Sequence, residues 1–206
     1  MAKNDRFIAL NTLAGVALLA AGLFGLDRVI ATYLQDAGYQ GLRPFVLGTL
    51  LLDTVTGKDV SKFLLGLLMV AGAVALLVAV RTRALGRNLM FVALVQLLST
   101  LVTGVSKNLF GRLRPYQLLE SGDWSRSWFM DGSSFPSGHG GFYFGLFLPL
   151  CWCFPRWRWP LVLAPWFIGA GRVDVNDHFM SDVGASIVVA GCLTLALARW
   201  MKAQPT

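Results

Sequence analysis

Six long runs without charged residues alternate with polar segments along this chain. About 20 consecutive apolar residues are enough for a helix to cross the hydrocarbon core of a bilayer. We therefore predict six transmembrane helices, at 7–26, 63–80, 88–106, 137–154, 158–173 and 183–199. The last two charge-free runs are short, so their helices need flanking residues or a locally thinner bilayer. The first run has 20 residues, longer than the apolar region of a cleaved signal peptide, and predicts a retained helix.

Composition agrees with a membrane protein. Hydrophobic residues make up 55% of the chain and charged residues 14%, whereas roughly a quarter of the residues in a soluble domain are charged. The predicted fold class is all-α, a polytopic membrane helical bundle in which residues 1–206 form one transmembrane domain. Cys151, Cys153 and Cys192 lie in or beside apolar runs, which argues against a disulfide framework. The two histidines lack Cys/His neighbours at zinc spacing, which argues against structural zinc.

The distribution of charge orients the predicted bundle. If the N-terminus is cytoplasmic, the segments on that side are 1–6, 81–87, 154–159 and 199–206. They hold nine of the 18 basic residues but one of the 11 acids, a net charge of +8, and the remaining residues sum to −1. Because cytoplasmic loops are rich in Lys and Arg, both termini are predicted to be cytoplasmic. We expect a bacterial inner-membrane protein, and its pI of about 9.8 needs no nucleic-acid partner.

The outer side of the membrane then carries the segments 27–62, 107–138 and 172–182. In the first, Leu42–Val55 is apolar apart from Asp53, and it is either an interfacial helix or a connector packed on the bundle. The aromatic residues of Trp124–Met130 are typical of a membrane-interface belt. Gly184 and Gly191 are small enough to let helices pack closely.

The candidate chemistry lies on the outer side, first in the segment Gly171–Asp182. It contains His178, one of two histidines, with Arg172 six residues before it and Asp182 four after it. If a helix starts near His178, the i,i+4 spacing lets the carboxylate accept a hydrogen bond from one ring nitrogen. The other nitrogen is then free as base or nucleophile, and the arginine suits a phosphate or carboxylate. Taken alone, such a set is more often an ordinary surface pair in a loop.

Two further polar clusters fall on the same side. Lys107–Pro115 places three basic residues at the outer end of the third predicted helix, where the positive-inside rule disfavours them. Alone, such a patch is usually a solvated helix end. Phe135–His139 precedes the fourth helix and contains the other histidine. Its Pro and Ser are ordinary helix-start residues, but a helix N-terminus also offers free N–H groups to phosphate, and Gly138 lets an anion approach the backbone.

In order and spacing, the three clusters resemble the signature of the type 2 phosphatidic acid phosphatase (PAP2) superfamily of membrane lipid phosphatases. That signature reads Lys-x6-Arg-Pro, then Pro-Ser-Gly-His, then Ser-Arg-x5-His-x3-Asp. The resemblance covers 107–182 directly, and the matching residues are Lys107, Arg114 and Pro115, then Pro136–His139, then Arg172, His178 and Asp182. One departure is Gly171, which stands where the signature has serine. This glycine removes a possible hydroxyl donor to phosphate.

The resemblance implies a phosphatase that acts on a lipid phosphate or diphosphate at the outer membrane face, with a membrane lipid and the bilayer as its partners. His178 is expected to attack phosphorus and form a phosphohistidine, with Asp182 fixing its tautomer. His139 is expected to protonate the leaving group, after which water releases phosphate. The opposite protonation states of the two histidines predict a bell-shaped pH–rate profile. The phosphate is expected to be bound by Lys107, Arg114, Ser137, Gly138 and Arg172.

No metal ion or other cofactor is expected, because the side-chain cations can neutralise the substrate. Asp174 and Asp177 beside His178 resemble a metal cluster only weakly, since hard metals need more converging carboxylates. Arg112 and Arg126 are candidate contacts to the lipid head group.

Several alternatives stay open on the sequence. The same site could pass phosphate to a second lipid, which would make the protein a phosphotransferase. A transporter with an anion-binding vestibule is a different class, but it would place ionisable residues in mid-span rather than at one membrane face. A vanadate-dependent oxidase has a related site, but those relatives are soluble. Undecaprenyl diphosphate, phosphatidylglycerol phosphate, phosphatidic acid and lipid A phosphates are all candidate substrates, and the oligomeric state is open.

Overall fold

The computed structural model describes residues 3–38 and 41–203. Within these residues it is helical and contains no strand, as the apolar runs predicted. We number the α-helices in chain order: α1 Lys3–Ala21, α2 Asp27–Asp36, α3 Arg43–Thr56, α4 Leu64–Val78, α5 Arg83–Phe110, α6 Pro115–Ser121, α7 Gly138–Cys153, α8 Arg158–Asp174 and α9 Met180–Ala203. A π-type segment, Gly22–Leu26, joins α1 to α2. The ends of the predicted cytoplasmic termini, 1–2 and 204–206, lie outside the described residues.

Each of the six predicted spans falls on a helix, but these helices differ in whether they are long enough to cross a membrane. Among the described residues, three stretches are long and apolar enough to cross a membrane: Asn4–Asp36, Val80–Ser121 and Met180–Trp200. By contrast, α4 is apolar but has 15 residues, and α7 and α8 have 16 and 17. The chain is therefore an all-helical membrane protein with three candidate spans by length and composition, half of the predicted number.

Glycines let the helices around α9 pack closely, as predicted for Gly184 and Gly191. Helix α9 packs against α1, α5 and α7. A Cβ atom on Gly184 would lie 2.6 Å from the Leu19 nitrogen of α1, and one on Gly191 would overlap another α1 side chain. On α7, a Cβ at Gly145 would lie 2.8 Å from the Ser99 Cβ of α5. These close approaches bring together the helices whose ends carry the polar clusters.

The apolar segment whose role the sequence left open is helix α3. It packs against α8, where the ring centroids of Phe45 and Phe167 lie 4.9 Å apart. The helix exposes a row of leucines, Leu47, Leu50 and Leu51, which agrees with an interfacial position. It ends at Gly57, where a φ of 66° turns the chain back. Its last turns carry Asp53 to His139 on α7.

The aromatic residues of the segment before α7, which the sequence places in a membrane-interface belt, also contact the rest of the protein. Trp124 packs against Phe179 with 6.4 Å between ring centroids, and Trp128 packs against Phe135 at 5.1 Å. Phe129 is the exception, since 75% of it is exposed. The two tryptophans are half-buried and pack beside the polar clusters.

Candidate active site

The three polar clusters meet at one cavity of about 340 Å³. It lies where α5 and α8 end and where α7 begins. Six of the eight predicted site residues line it: Lys107, Arg114, Gly138, His139, Arg172 and His178. The other two, Ser137 and Asp182, are fully buried behind this lining. Lys58, Lys62 and Asp177 also line the cavity, although the sequence did not single them out as site residues.

His178 lies in the loop before α9, and Asp182 lies in the first turn of that helix. The helix begins two residues after His178, and the two side chains still face each other. His178 Nδ1 lies 3.5 Å from Asp182 Oδ2, longer than a hydrogen bond, and has no hydrogen-bond partner among the described residues. Nε2 is therefore the ring nitrogen left for a substrate. Burial lowers the pKa of the His178 imidazole to about 4, so the ring is neutral at pH 7.

The Asp182 carboxylate is held in place by a buried network. Its Oδ2 accepts hydrogen bonds from the Ser134 hydroxyl and from the Phe179 N–H at 2.8 Å. The second contact is the one that a first-turn acid makes in a capping box. Its Oδ1 accepts from Arg112 Nη1 at 2.6 Å. These contacts fix the carboxylate in the orientation in which it faces His178.

Arg112 has a different place from the one that the sequence suggested. It is only 4% exposed, and its guanidinium lies 4.5 Å from the Trp128 ring centroid and 4.0 Å from that of Phe179. Its Nη2 also pairs with Asp27 of α2 at 2.8 Å. The position of Arg112 thus gives no support to a head-group contact. Its side chain instead ties α2 to Asp182.

Arg114 and Arg172 converge on the carboxylate of Asp177. Arg114 Nη1 lies 3.0 Å from Oδ1, and Arg172 Nη2 contacts Oδ2. After α8 the chain folds back, so that the N–H groups of Asp177 and His178 both point at the Arg172 carbonyl, each at 3.2 Å. The turn is completed by Asn176 at a φ of 53°, a conformation that Asn tolerates. Two guanidinium groups are thus aimed at one oxyanion beside His178.

Lys107 lies against the N-terminus of α7. A Cβ atom on Gly138 would be 3.4 Å from Lys107 Cε, and the Lys107 ammonium donates to the Ser133 carbonyl. Ser137 caps the helix, because its hydroxyl oxygen accepts the Gly140 N–H at 3.2 Å. The first-turn N–H groups of an α-helix have no partner within the helix. The cap therefore presents backbone donors, rather than the serine side chain, at the cavity wall.

His139 is held by a residue from outside the three clusters. Its Nε2 lies 3.0 Å from Asp53 Oδ2, and the Tyr143 hydroxyl donates to Asp53 Oδ1 at 2.6 Å. Lys58 Nζ also lies 3.3 Å from Asp53 Oδ2. Burial alone would raise the pKa of the Asp53 carboxyl, but the hydrogen bonds from His139 and Tyr143 outweigh it and lower the pKa to about 2. Asp53 is therefore ionised at any physiological pH.

Comparison with known proteins assigns the family. A family model described as the PAP2 superfamily matches residues 88–205, more than half of the chain. The chain belongs to the PAP2 superfamily. Two curated relatives, from Rhizobium etli and Rhizobium johnstonii, are both named lipid A 1-phosphatase. Each is 32% identical to this chain in an alignment of 103 residues that covers 48% of this chain. The alignment covers 44% of the Rhizobium etli protein and 42% of the Rhizobium johnstonii protein. The match thus spans less than half the length of these proteins, and no solved structure matches the chain.

The PAP2 match contains every predicted site residue but omits α3 and the loop after it. Lys58 and Lys62 therefore reach the cavity, and Asp53 reaches His139, from a part of the chain that no motif marks. The one signal in the sequence was Asp53, an isolated acid in an apolar segment. A buried carboxylate needs a polar partner, and this requirement alone could have directed attention to it.

At Gly171, where the chain departs from the PAP2 signature, Phe45 of α3 leaves little room for a larger side chain. A Cβ atom added at Gly171 would lie 3.1 Å from the Phe45 Cβ. This approach is closer than ordinary van der Waals contact, so a serine here requires Phe45 to move. The bulk of Phe45 thus takes up the space beside the glycine.

The two acids that resembled a metal cluster point to different partners. Asp174 Oδ2 accepts the Leu42 N–H at 2.8 Å, whereas Asp177 pairs with the two arginines. No group of three or more His, Cys, Asp or Glu side chains converges as a metal site in the part of the chain that the structure describes. These carboxylates thus bind an N–H group and arginines.

Proposed function

We propose that this PAP2 protein is a metal-independent lipid phosphatase that works through a phosphohistidine at His178. The observation that carries the proposal is the Asp177 carboxylate, bound by Arg114 and Arg172 beside a neutral histidine. The same two guanidinium groups can hold the non-bridging oxygens of a phosphate while His178 Nε2 faces phosphorus. A neutral imidazole with a free ring nitrogen is the form that a nucleophile needs.

The cations of the cavity neutralise the phosphate and stabilise the charge that spreads over its oxygens in the transition state. Arg114 and Arg172 are the main contributors, and Lys107 adds a third charge. The N–H groups of Gly138 and His139, oriented by the Ser137 cap, add neutral donors at the positive end of α7. Side chains and backbone thus supply the electrostatic stabilisation that metal ions give in other phosphoryl-transfer sites.

The reaction proceeds in two steps. In the first, His178 Nε2 attacks phosphorus, the bond to the leaving oxygen breaks, and His139 gives that oxygen a proton. Asp182 stabilises the charge that develops on the His178 ring. In the second step, water attacks the phosphohistidine and gives its proton back to His139, while the P–N bond breaks and phosphate leaves. The need for a neutral His178 and a protonated His139 in the first step is the source of the expected bell-shaped pH profile.

We further propose that the cavity opens at the outer face of a bacterial inner membrane and that α1, α4, α5, α7, α8 and α9 all cross it. Helix α5 has 28 residues, about 42 Å at 1.5 Å per residue, and runs from the basic segment 81–87 to the cavity. Helix α7 starts at the cavity and ends at the basic segment 154–159. Basic segments opposite the cavity support a cytoplasmic location for them.

The first candidate substrate is a lipid A phosphate, because both relatives carry the name lipid A 1-phosphatase. Undecaprenyl diphosphate, phosphatidylglycerol phosphate and phosphatidic acid are the comparison substrates. All present a phosphate at the membrane surface, which suits a cavity formed at the ends of helices.

Phosphate release by purified protein in detergent with EDTA tests the proposal. Wild type, His178→Ala and a control at the exposed thiol, Cys192→Ala, are each offered the four lipids. We expect free phosphate from at least one lipid with wild type and control, and none with His178→Ala. Labelled phosphate that moves to another lipid without release would identify a phosphotransferase, and activity that needs added Mg²⁺ would overturn the metal-independent mechanism. If all three proteins are inert, the phosphatase proposal fails.

A further inference from the structure

We propose that Asp53 is a positioning residue that holds the ring of His139 so that its other nitrogen serves as the acid and base of the reaction. The inference rests on the proposed phosphatase function and extends it to helix α3, which lies outside the PAP2 match. The contact that carries it joins Asp53 Oδ2 to His139 Nε2 over 3.0 Å.

Two further groups hold the Asp53 carboxylate in the orientation that this contact requires. The Tyr143 hydroxyl donates to Oδ1 at 2.6 Å, and Lys58 Nζ lies 3.3 Å from Oδ2. Tyr143 follows His139 by one helical turn, and their rings stack with 6.5 Å between centroids. The carboxylate therefore bridges two residues on one face of α7. Only 16% of the Asp53 side chain is exposed, so water competes little for these bonds.

The two histidines of the cavity are thus paired with carboxylates through opposite ring nitrogens. Asp182 faces Nδ1 of His178, which leaves Nε2 for phosphorus. Asp53 binds Nε2 of His139, which leaves Nδ1 for the leaving group. When one ring nitrogen donates to a carboxylate, the proton that is exchanged with substrate must enter and leave through the other. Asp53 thereby assigns the proton transfers of His139 to Nδ1.

Nδ1 of His139 loses one proton in the first step of the reaction and regains one in the second. In the first step, Nδ1 of the imidazolium gives its proton to the leaving oxygen as the P–O bond breaks, and His139 becomes neutral with its remaining proton on Nε2. In the second step, Nδ1 takes a proton from the attacking water as the O–P bond forms and the P–N bond to His178 breaks. The Nε2–H bond to Asp53 stays in place throughout, and the ionised carboxylate stabilises the imidazolium.

Asp53→Asn tests this role when the leaving group is varied. Octyl phosphate releases an alkoxide, which needs a proton, whereas p-nitrophenyl phosphate releases a stable anion, which does not. The quantity compared is kcat/KM, because it reports only the steps up to departure of the leaving group. We expect Asp53→Asn to lower kcat/KM roughly 100-fold for octyl phosphate, as for loss of general acid catalysis, but only a few-fold for p-nitrophenyl phosphate. The control Asp59→Asn, an exposed acid on the following loop, should retain both activities.

The pH profile gives a second readout. The charged side chains with the largest effect on the His139 ring are Asp53, Lys58 and Arg172, and of these only Asp53 favours the imidazolium. The neutral Tyr143 ring stacks on the His139 ring. Loss of the Asp53 carboxylate should therefore move the alkaline limb of kcat/KM for octyl phosphate to lower pH. Tyr143→Phe removes the short hydroxyl bond to Asp53 and a 3.4 Å contact with the Thr56 hydroxyl, and it leaves the Asp53 carboxylate in place. It should give a smaller loss in the same direction, and it provides the test if Asp53→Asn does not fold.

The outcomes separate this proposal from the proposed function. If wild type hydrolyses both substrates and the variants lose the same factor on each, with an unmoved alkaline limb, Asp53 has only a structural role and the inference is overturned. If wild type hydrolyses neither substrate nor any of the lipids, the phosphatase function itself fails, and this inference fails with it.

Discussion

Replacement of Asp177 by asparagine should tighten the binding of phosphate and of orthovanadate. The Asp177 carboxylate contacts the guanidinium groups of both Arg114 and Arg172. A phosphate that enters the cavity needs the same two guanidinium groups, so it must displace the carboxylate or share them with it. Asparagine keeps the size of the side chain but removes its charge. The side chain at position 177 then no longer competes with phosphate for the two arginines.

The size of the effect follows from the exposure of the two ion pairs. The side chains of Arg114, Asp177 and Arg172 are 27%, 20% and 18% exposed, so the pairs lie between surface and interior. Surface pairs contribute up to about 1 kcal/mol, and hydrogen bonds between charged groups contribute somewhat more. Loss of two such contacts corresponds to about 2 kcal/mol, or roughly 30-fold in affinity. The same loss should lower the stability of the protein by a similar amount when no phosphate is added.

Two measurements on Asp177→Asn check this prediction. The inhibition constant of orthovanadate, measured against a lipid substrate, should fall by roughly 10- to 30-fold. Thermal unfolding in detergent should show a lower Tm without phosphate and a larger rise when phosphate is added, because ligand binding stabilises the folded state. The matched control is Asp174→Asn, whose carboxylate binds the Leu42 N–H rather than an arginine. It should leave the inhibition constant unchanged.

A weaker affinity for orthovanadate in Asp177→Asn would refute the reasoning. It would mean that Asp177 holds Arg114 and Arg172 in place for the substrate rather than competing with it. An unchanged constant would mean that the carboxylate and the phosphate use different donors of the two arginines.

Three further predictions concern stability, pH and the departure from the PAP2 signature. Arg112→Gln should lower the free energy of unfolding by about 3–5 kcal/mol, because it leaves two buried carboxylates without their cation; a denaturation midpoint equal to that of the exposed control Arg126→Gln would contradict this. Burial lowers the pKa of His178 to about 4, and acid inactivates a histidine nucleophile by protonating it. The acidic limb of the kcat/KM profile, corrected for substrate ionisation, should therefore lie near pH 4 and not near 6.5. Gly171→Ala and Gly171→Ser should each lower stability by about 1 kcal/mol, because the added Cβ presses on Phe45. Of these two variants, only the serine should lower KM, and equal KM values would show that its hydroxyl does not reach the phosphate.

The helices could be read from the chain because their signals are local. A charge-free run such as 88–106 can bury its backbone polar groups in apolar surroundings only as a helix, and the structure has α5 there. The contacts of an aromatic side chain depend on its neighbours in the fold, which are not local in the sequence. The tryptophans at 124 and 128 suit a membrane interface by composition, but composition does not indicate that they also pack against Phe179 and Phe135.

The motif residues of the candidate site were also predictable, because their types, order and spacing resemble the PAP2 signature. Lys107, Arg114, His139, Arg172 and His178 were identified by type and spacing, and the fold brings all five to one cavity. Their roles in catalysis stay predictions until the variants are measured. The i,i+4 spacing predicted that the His178 and Asp182 side chains face each other, and they do, although α9 begins only after the histidine. The loop and the first turn of α9 together place them face to face.

The helical class, the membrane character and the residue types of the site follow from composition and short-range spacing, so they could be predicted from the chain. Which charges meet depends on the packing of distant segments and became visible only in the folded protein. Asp53 reaches His139 over 86 positions, Arg112 reaches Asp182 over 70, and Asp177 lies between two arginines from different motifs. Such pairings depend on how helices pack, and packing is set by side-chain shape over the whole bundle, a property that no local window of sequence contains.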